Sequence, residues 1–418
     1  MKSKKITLAG MAVVVSLSMA GCSTSGPVGT TTPPVETAAA PSLSGSLEMW
    51  VMGSTGPAME GLAAGFTKET GVAVTVQAIP WGDVRAKMST AIASGQGPDV
   101  IQVGLDRIAE WADAGGLLDL TDRLANYPEL APENFFSASA STMVYDAKTY
   151  TVPWISDTRV LYYRTDILDA AGFSDPPATW DQWSATAKAL AARGDGQYGM
   201  GFNTADVNIP LILTWSQGAE IYTDGAFDFT SSAYTSAVEF EHSFFANGYT
   251  PARALADADM IAGFKDGSIP MFISYPSMAR SLNDQAPEIK GKWSIAMVPK
   301  QVSATSVMAG SNLGVFADSD NKAAAVAFMA YLDRPEVQLA WNSVTYNLPA
   351  VTSAMSLLAG NDLNKVYFSQ MQDAKVVPVV ENWGGVSQEI NRATEQINLG
   401  NAAIDATVAS LQKAVAAL

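Results

Sequence analysis

The chain has 418 residues, 48% hydrophobic and 16% charged, a length that suggests two lobes and an apolar content that excludes general disorder. Its formal net charge of −16 excludes nucleic acid as a partner, because so acidic a body is repelled by phosphate backbones. One cysteine and one histidine exclude an internal disulfide and a metal site of the usual Cys/His zinc type, and no cofactor is expected.

The chain opens as an address. Lys2, Lys4 and Lys5 form a positive start, and Ile6 to Ala20 is apolar or small but too short to span a bilayer comfortably. Met19-Ala20-Gly21-Cys22 then resembles a bacterial lipobox, which implies cleavage after residue 21 and a diacylglyceryl group on Cys22. Cleavage there removes three lysines and no acid, so −16 becomes −19. Residues 22–44, rich in Thr, Ser, Pro, Gly and Ala, cannot repay their ordering entropy and read as a flexible tether.

From Gly45 the pattern turns regular. Leu47, Met49 and Val51 alternate as a first strand, and Met59, Leu62, Ala63 and Phe66 recur at helical spacing up to Gly71. Val72, Val74 and Val76 predict a second strand; Val84, Met88 and Ile92 predict a second helix, closed near Gly95. Val100 to Val103 predict a third strand, followed by a helix through Ile108, Trp111 and Ala112 that stops at Gly115-Gly116. This βαβ rhythm predicts a largely parallel sheet, and ligands of such sheets bind outside the carboxyl ends of the strands. Those ends are Gly53-Ser54-Thr55, Trp81-Gly82-Asp83 and Gly104-Leu105-Asp106, which would bring an indole, two hydroxyls and two carboxylates to one edge.

A second block begins near Tyr150. Thr151–Trp154 and Arg159–Tyr163 read as strands passing between lobes. Thr179 is the expected N-cap of a helix bearing Trp180, Trp183, Ala187 and Leu190. Helices at Ala233–Ala246 and Met260–Asp266 and strands at Ile269–Ser274 and Lys292–Val298 follow. Asp318-Ser319-Asp320-Asn321 is a polar turn ahead of a helix Lys322–Leu332, and Val386–Leu418 is mostly helical. Trp81, Trp154, Trp215 and Trp383 fall in apparent loops or element ends and are candidates for the cleft. Trp50, Trp111, Trp180, Trp183 and Trp293 sit on strand or helix patterns and are read as core; His242 is read as a surface or packing residue.

Seven phrases now resemble one known family. GLAAGFTKETGVAVTV (61–76), MSTAIASGQGPDVIQV (88–103), YTVPWISDTRVLYYRTDILDAAGF (150–173) and PATWDQWSATAKAL (177–190) come first. AGFKDGSIPMFISYPSM (262–278), MAGSNLGVFADSDNKAAAVAFMAYL (308–332) and YNLPA (346–350) follow in the usual order. Together they resemble the extracellular solute-binding proteins of bacterial sugar ABC importers. The resemblance implies an α/β, two-lobe periplasmic-binding-protein-like fold of type II with ligand in the interlobe cleft. It implies lobe one at 45–155 plus 303–350 and lobe two at 156–302 plus 351–418. The positions matching the family's cleft contacts are Ser54, Trp81, Asp83, Asp106, Trp154, Asp157, Tyr275 and the turn Gly310-Ser311-Asn312. Ala309 and Ser277 depart from the glycine and tryptophan that the family often carries there.

The implied protein is a monomer, lipid-anchored on the outer face of the cell membrane, that takes a carbohydrate and hands it to a permease by lobe closure. Carboxylates accept hydrogen bonds from sugar hydroxyls, and an indole offers a flat apolar face to the ring. Two other readings of the same residues stay open. The acidic and aromatic positions also suit a peptide or polyamine, and Asp83 with Asp106 could form the carboxylate pair of a secreted glycoside hydrolase.

Overall fold

The computed structural model describes residues 43–418; Cys22 and the leader assigned above lie outside the described residues. The first three predicted strands are β1 (Ser46–Met52), β2 (Ala73–Ile79) and β3 (Val100–Gly104), paired in parallel as β2-β1-β3. Between them run the helices Gly56–Thr70 and Val84–Ser94, whose buried faces include the predicted Met59, Phe66 and Met88. A short ribbon, β4 (Val144–Tyr145) and β5 (Lys148–Thr149), leads into β6 (Thr151–Thr158) and β7 (Val160–Arg164).

A second ribbon, β8 (Tyr222–Thr223) and β9 (Ala226–Phe227), precedes β10 (Met271–Ser274) and β11 (Trp293–Ala296). β7 lies between β10 and β11, antiparallel to both, and makes a small second sheet. The chain then returns along β12 (Ser306–Val315), which is antiparallel to β3 and β6 and parallel to β13 (Ala374–Val376). The larger sheet is therefore mixed rather than largely parallel. β12 enters it from the opposite end because it comes back from the second sheet rather than over a helical crossover.

Separate cores back the two sheets. Met49, Val100, Trp154, Leu313, Phe328 and Trp341 pack behind the larger sheet, with Phe66 and Phe328 rings 4.9 Å apart. Leu161, Trp183, Phe244, Met271 and Ile390 fill one side of the second sheet, and Tyr162, Phe264 and Phe272 the other, with Tyr162 stacked on Phe272 at 5.2 Å. β12 belongs to both: Leu313 lies in the first core, Val307 and Met308 in the cores of the second sheet, whereas β6 contributes Val152 and Trp154 to the first core.

Local chemistry accounts for several element ends. Thr179 caps the helix Trp180–Ala191 as expected, its side chain accepting from the Gln182 N–H. The segment Gly310-Ser311-Asn312 is not a turn; it lies inside β12, with a bulge between Ser311 and Asn312. Gly310 adopts φ 131, and a Cβ there would lie 1.9 Å from the Ile155 carbonyl oxygen. Only glycine permits β6 and β12 to approach so closely.

Candidate ligand-binding cleft

The carboxyl ends of β2 and β3 open onto a hollow of about 310 Å³. Trp81, just past β2, is half exposed, and its indole lies across the ends of the neighbouring strands. A Cβ built on Gly53 would stand 3.5 Å from the Trp81 Nε1; one on Gly104 would stand 3.3 Å from the ring and 2.6 Å from Asp106 Oδ1. The indole and the Asp106 carboxylate therefore converge over Gly104, where only a glycine leaves them room. Asp106 is steadied by Arg107, 3.3 Å away, which also reaches Glu110 at 3.1 Å.

The hollow's other walls come from distant parts of the chain: Val207 and Asn208 at the start of the helix Asn208–Ser216, Val307 to Gly310 on β12, and Val377, Trp383 and Ser387. Asp157 on β6 faces Ala309 in the β6–β12 register and so stands beside this wall.

A polar network continues from Asp157 along the second sheet. Arg159 Nε donates to Asp206 Oδ2 at 2.7 Å, and both side chains are almost wholly buried. Asp206 Oδ1 in turn accepts from the backbone N–H and the side-chain amide of Asn208, at 3.1 and 2.7 Å. The Arg159 guanidinium lies 5.2 Å from the Tyr275 ring centre, and the Tyr275 hydroxyl donates to Asp257. Asn203 also donates to Asp257, at 3.0 Å.

The charges in this network are tuned in opposite directions. Burial pushes the Asp157 carboxyl up to about 6, with Arg159 opposing the rise. Burial acts on Asp206 as well, but the Arg159 charge and its hydrogen bond, with those of Asn208, hold it below the usual carboxylate range. Burial and the bond to Asp257 raise the Tyr275 hydroxyl, so it stays a donor. Arg159 is committed to Asp206, whereas Asp157 has no ion-pair partner among the described residues.

Of the residues expected at the cleft, Trp81, Asp106, Gly310 and Trp383 line one hollow, Asp157 stands opposite the lining residue Ala309, and Tyr275 packs against Arg159 in the polar network beyond. Trp383 opens the helix Trp383–Asn398 and is mostly buried, with its ring 6.1 Å from Phe227. Ser54 and Asp83 are exposed and do not line the hollow; Asp83 occupies the N-cap position of Val84–Ser94 but makes no capping bond.

Four expected residues are carried elsewhere by the fold. Trp154 is fully buried with its ring 5.2 Å from Trp341, because β6 turns that face into the core. Trp215 lies in a helix whose residues Ile209 to Ser216 are all buried, not in a loop. Ser311 accepts from Gln102 at 2.7 Å, and Asn312 donates to Thr142 and Thr151 at 2.8 Å each, so both spend their polar atoms inside the protein. Arg159, Asp206, Asn208 and Asp257 were absent from the expected set. Of these, only Arg159, a base two residues after Asp157 at the end of β6, left a signal in the sequence.

A larger hollow of about 430 Å³ lies between the β8–β9 ribbon and the C-terminal helices, but it takes no residue from the strand ends. Among the described residues, no cluster of three His, Cys, Asp or Glu could hold a metal ion, and no helix is long and apolar enough to cross a membrane.

A mixed sheet and a second sheet, each with its own core, with aromatic and acidic groups gathered at the strand ends of the larger one, define a two-lobe α/β binding protein. The chain belongs to the bacterial extracellular solute-binding protein family, whose profile matches residues 51–339. Its structure is similar to that of the sugar-binding protein MalE from the phytopathogen Xanthomonas citri, with a TM-score of 0.83 and 27% identity, covering 88% of this chain and 95% of the other. Its sequence is 25% identical to a putative binding protein of Brucella abortus (strain 2308) over 365 residues, covering 85% of this chain and 88% of the relative. It is 28% identical to an uncharacterised lipoprotein of Streptomyces antibioticus over 296 residues, covering 66% and 63%. The fold is the type II periplasmic-binding-protein arrangement expected from the sequence.

Proposed function

We propose that this protein captures a sugar in the cleft between its lobes and delivers it to an ABC importer, while anchored outside the cell through Cys22. The observation that carries the reading is the half-exposed Trp81 indole lying over Gly104 beside the Asp106 carboxylate. A sugar ring presents C–H faces to an indole and hydroxyls to carboxylates, and charge-assisted bonds to hydroxyls are about twice as strong as neutral ones. The Xanthomonas relative's sugar-binding description supports the substrate class, and the Streptomyces relative's lipoprotein description supports the anchor.

Lobe one is taken as 45–155 plus 303–350 and lobe two as 156–302 plus 351–418, with β6 crossing between them and the chain returning to lobe one just before β12. Trp81 and Asp106 then approach the guest from lobe one. Asn208, Tyr275 and Trp383 approach it from lobe two, and Asp157 and Gly310 lie near the crossing. Ligand held by one lobe gains the other lobe's contacts only on closure, so binding shifts the population towards the closed form, which a permease would read. X-ray scattering of the purified protein should show a smaller radius of gyration with saturating sugar. No change at saturation would overturn the closure step.

A further inference from the structure

Behind the cleft wall, the helices Ser232–Ala246 and Trp383–Asn398 pack together in the core of the second sheet. Glu241 is buried between them, only 3% exposed. Its Oε1 accepts a hydrogen bond from the Asn398 side-chain amide at 2.9 Å. Its other oxygen, Oε2, is buried without a partner, and so is Asn398 Oδ1. Two buried acceptors on one bonded pair of side chains share a single missing proton. An ionised carboxylate offers none, and leaving both acceptors bare is costly inside a protein.

We propose that Glu241 is held as the neutral carboxylic acid and donates from Oε2 to Asn398 Oδ1, closing a reciprocal two-bond pair that fixes the helix bearing Trp383 against Ser232–Ala246. Glu241 is on this account a positioning residue for the cleft wall. It acts through the helix and does not touch ligand.

The surroundings favour the neutral form. Burial pushes the Glu241 carboxyl up to about 8; the Asn398 bond opposes this, and the charge of Asp206 adds to it. On Ser232–Ala246 itself, Tyr234 is buried, and its hydroxyl is raised above its usual value by burial and by Glu241; His242 is partly buried with Nδ1 unpaired. The neighbouring helix Asn208–Ser216 carries no ionisable side chain. On Trp383–Asn398, Glu389 and Arg392 pair with each other and Glu395 is exposed; on Ile404–Val415, Asp405 and Lys413 are exposed. No buried cation faces Glu241 from these helices. Thr394, one turn before Asn398, has an unpartnered hydroxyl that makes no bond to Glu241.

An acid whose folded value lies above its unfolded one stabilises the fold fully below the unfolded value. It loses that contribution as pH rises towards the folded value. The test compares wild type with Glu241→Gln, whose amide copies the neutral acid at every pH, by urea denaturation of the mature protein from pH 5 to pH 9. The ratio of the wild-type to the variant folding constant should fall about tenfold per pH unit from pH 5 to about 8 and level off above it. Glu241→Ala should lose stability across the range, with Glu241→Gln restoring it. A ratio flat from pH 5 to 8 would overturn the proposal and leave Thr394 or a buried water as the partner of an ionised carboxylate. Should Glu241→Gln fail to fold, ¹³C-glutamate NMR of the wild type decides. One carboxyl resonance titrating near pH 8 supports the proposal, and all resonances titrating near the ordinary value overturn it.

Discussion

Arg159, at the junction of β6 and β7, bonds to Asp206 just before the helix Asn208–Ser216, so one buried ion pair ties the end of β6 to the segment that supplies Asn208 to the hollow. The two residues are 47 positions apart in sequence, and each draws in a further cleft residue: Arg159 the Tyr275 ring, Asp206 the Asn208 amide.

Breaking this pair should cost far more than a surface ion pair would. Asp206→Ala leaves a buried guanidinium uncompensated, a change that destabilises by about 3–5 kcal/mol. Because Asp206 is held below the ordinary carboxylate range, its contribution is present above the unfolded value and lost as pH falls through the folded one. Urea denaturation of wild type and variant at pH 7 and pH 3 checks both statements: the gap is wide at pH 7 and narrows at pH 3.

Asp157 should behave in the opposite sense. Its carboxyl is raised to about 6, so ionising it costs stability as pH climbs past the ordinary value. Asp157→Asn should be more stable than wild type at pH 7 and equal to it near pH 4, while binding sugar more weakly at pH 7. Stability gained as affinity is lost is the usual trade at a functional carboxylate. Thermal melts and calorimetric titrations on the same two proteins measure both sides.

Two tryptophans should separate binding from stability. Trp81→Ala removes an exposed ring and should leave the melting temperature nearly unchanged while weakening sugar binding about tenfold or more. Trp154→Ala empties a core site and should destabilise by about 3–5 kcal/mol.

Much of the fold was legible because its signals are local. Period-two alternation placed β1 and β2, a short apolar run placed β3, helical spacing placed the segments between them, and the strand ends placed Trp81 and Asp106. Gly310-Ser311-Asn312 was misread because glycine, serine and asparagine are turn chemistry; pairing with β3 and β6 overrides that preference. Trp215 was misread because its helix is buried all round and so shows no amphipathic period. Asp206 and Asp257 left no trace in the sequence, since their partners Arg159 and Tyr275 are neighbours only in three dimensions.

The strand contact at Gly310 carries its own test. Gly310→Ala drives a methyl group against the Ile155 carbonyl at a backbone angle that L residues rarely adopt. Destabilisation of about 2 kcal/mol or more is expected in urea denaturation, whereas Gly61→Ala, in open space on a helix, should be neutral or mildly stabilising.

Isothermal calorimetry of the mature protein with a panel of neutral mono- to tetrasaccharides, repeated with Trp81→Ala, puts the guest and its platform to the same trial. Saturable one-to-one binding of at least one sugar, weakened at least tenfold without the indole, is the expected result. Heat from no saccharide, or a sugar bound equally well by both proteins, would contradict it.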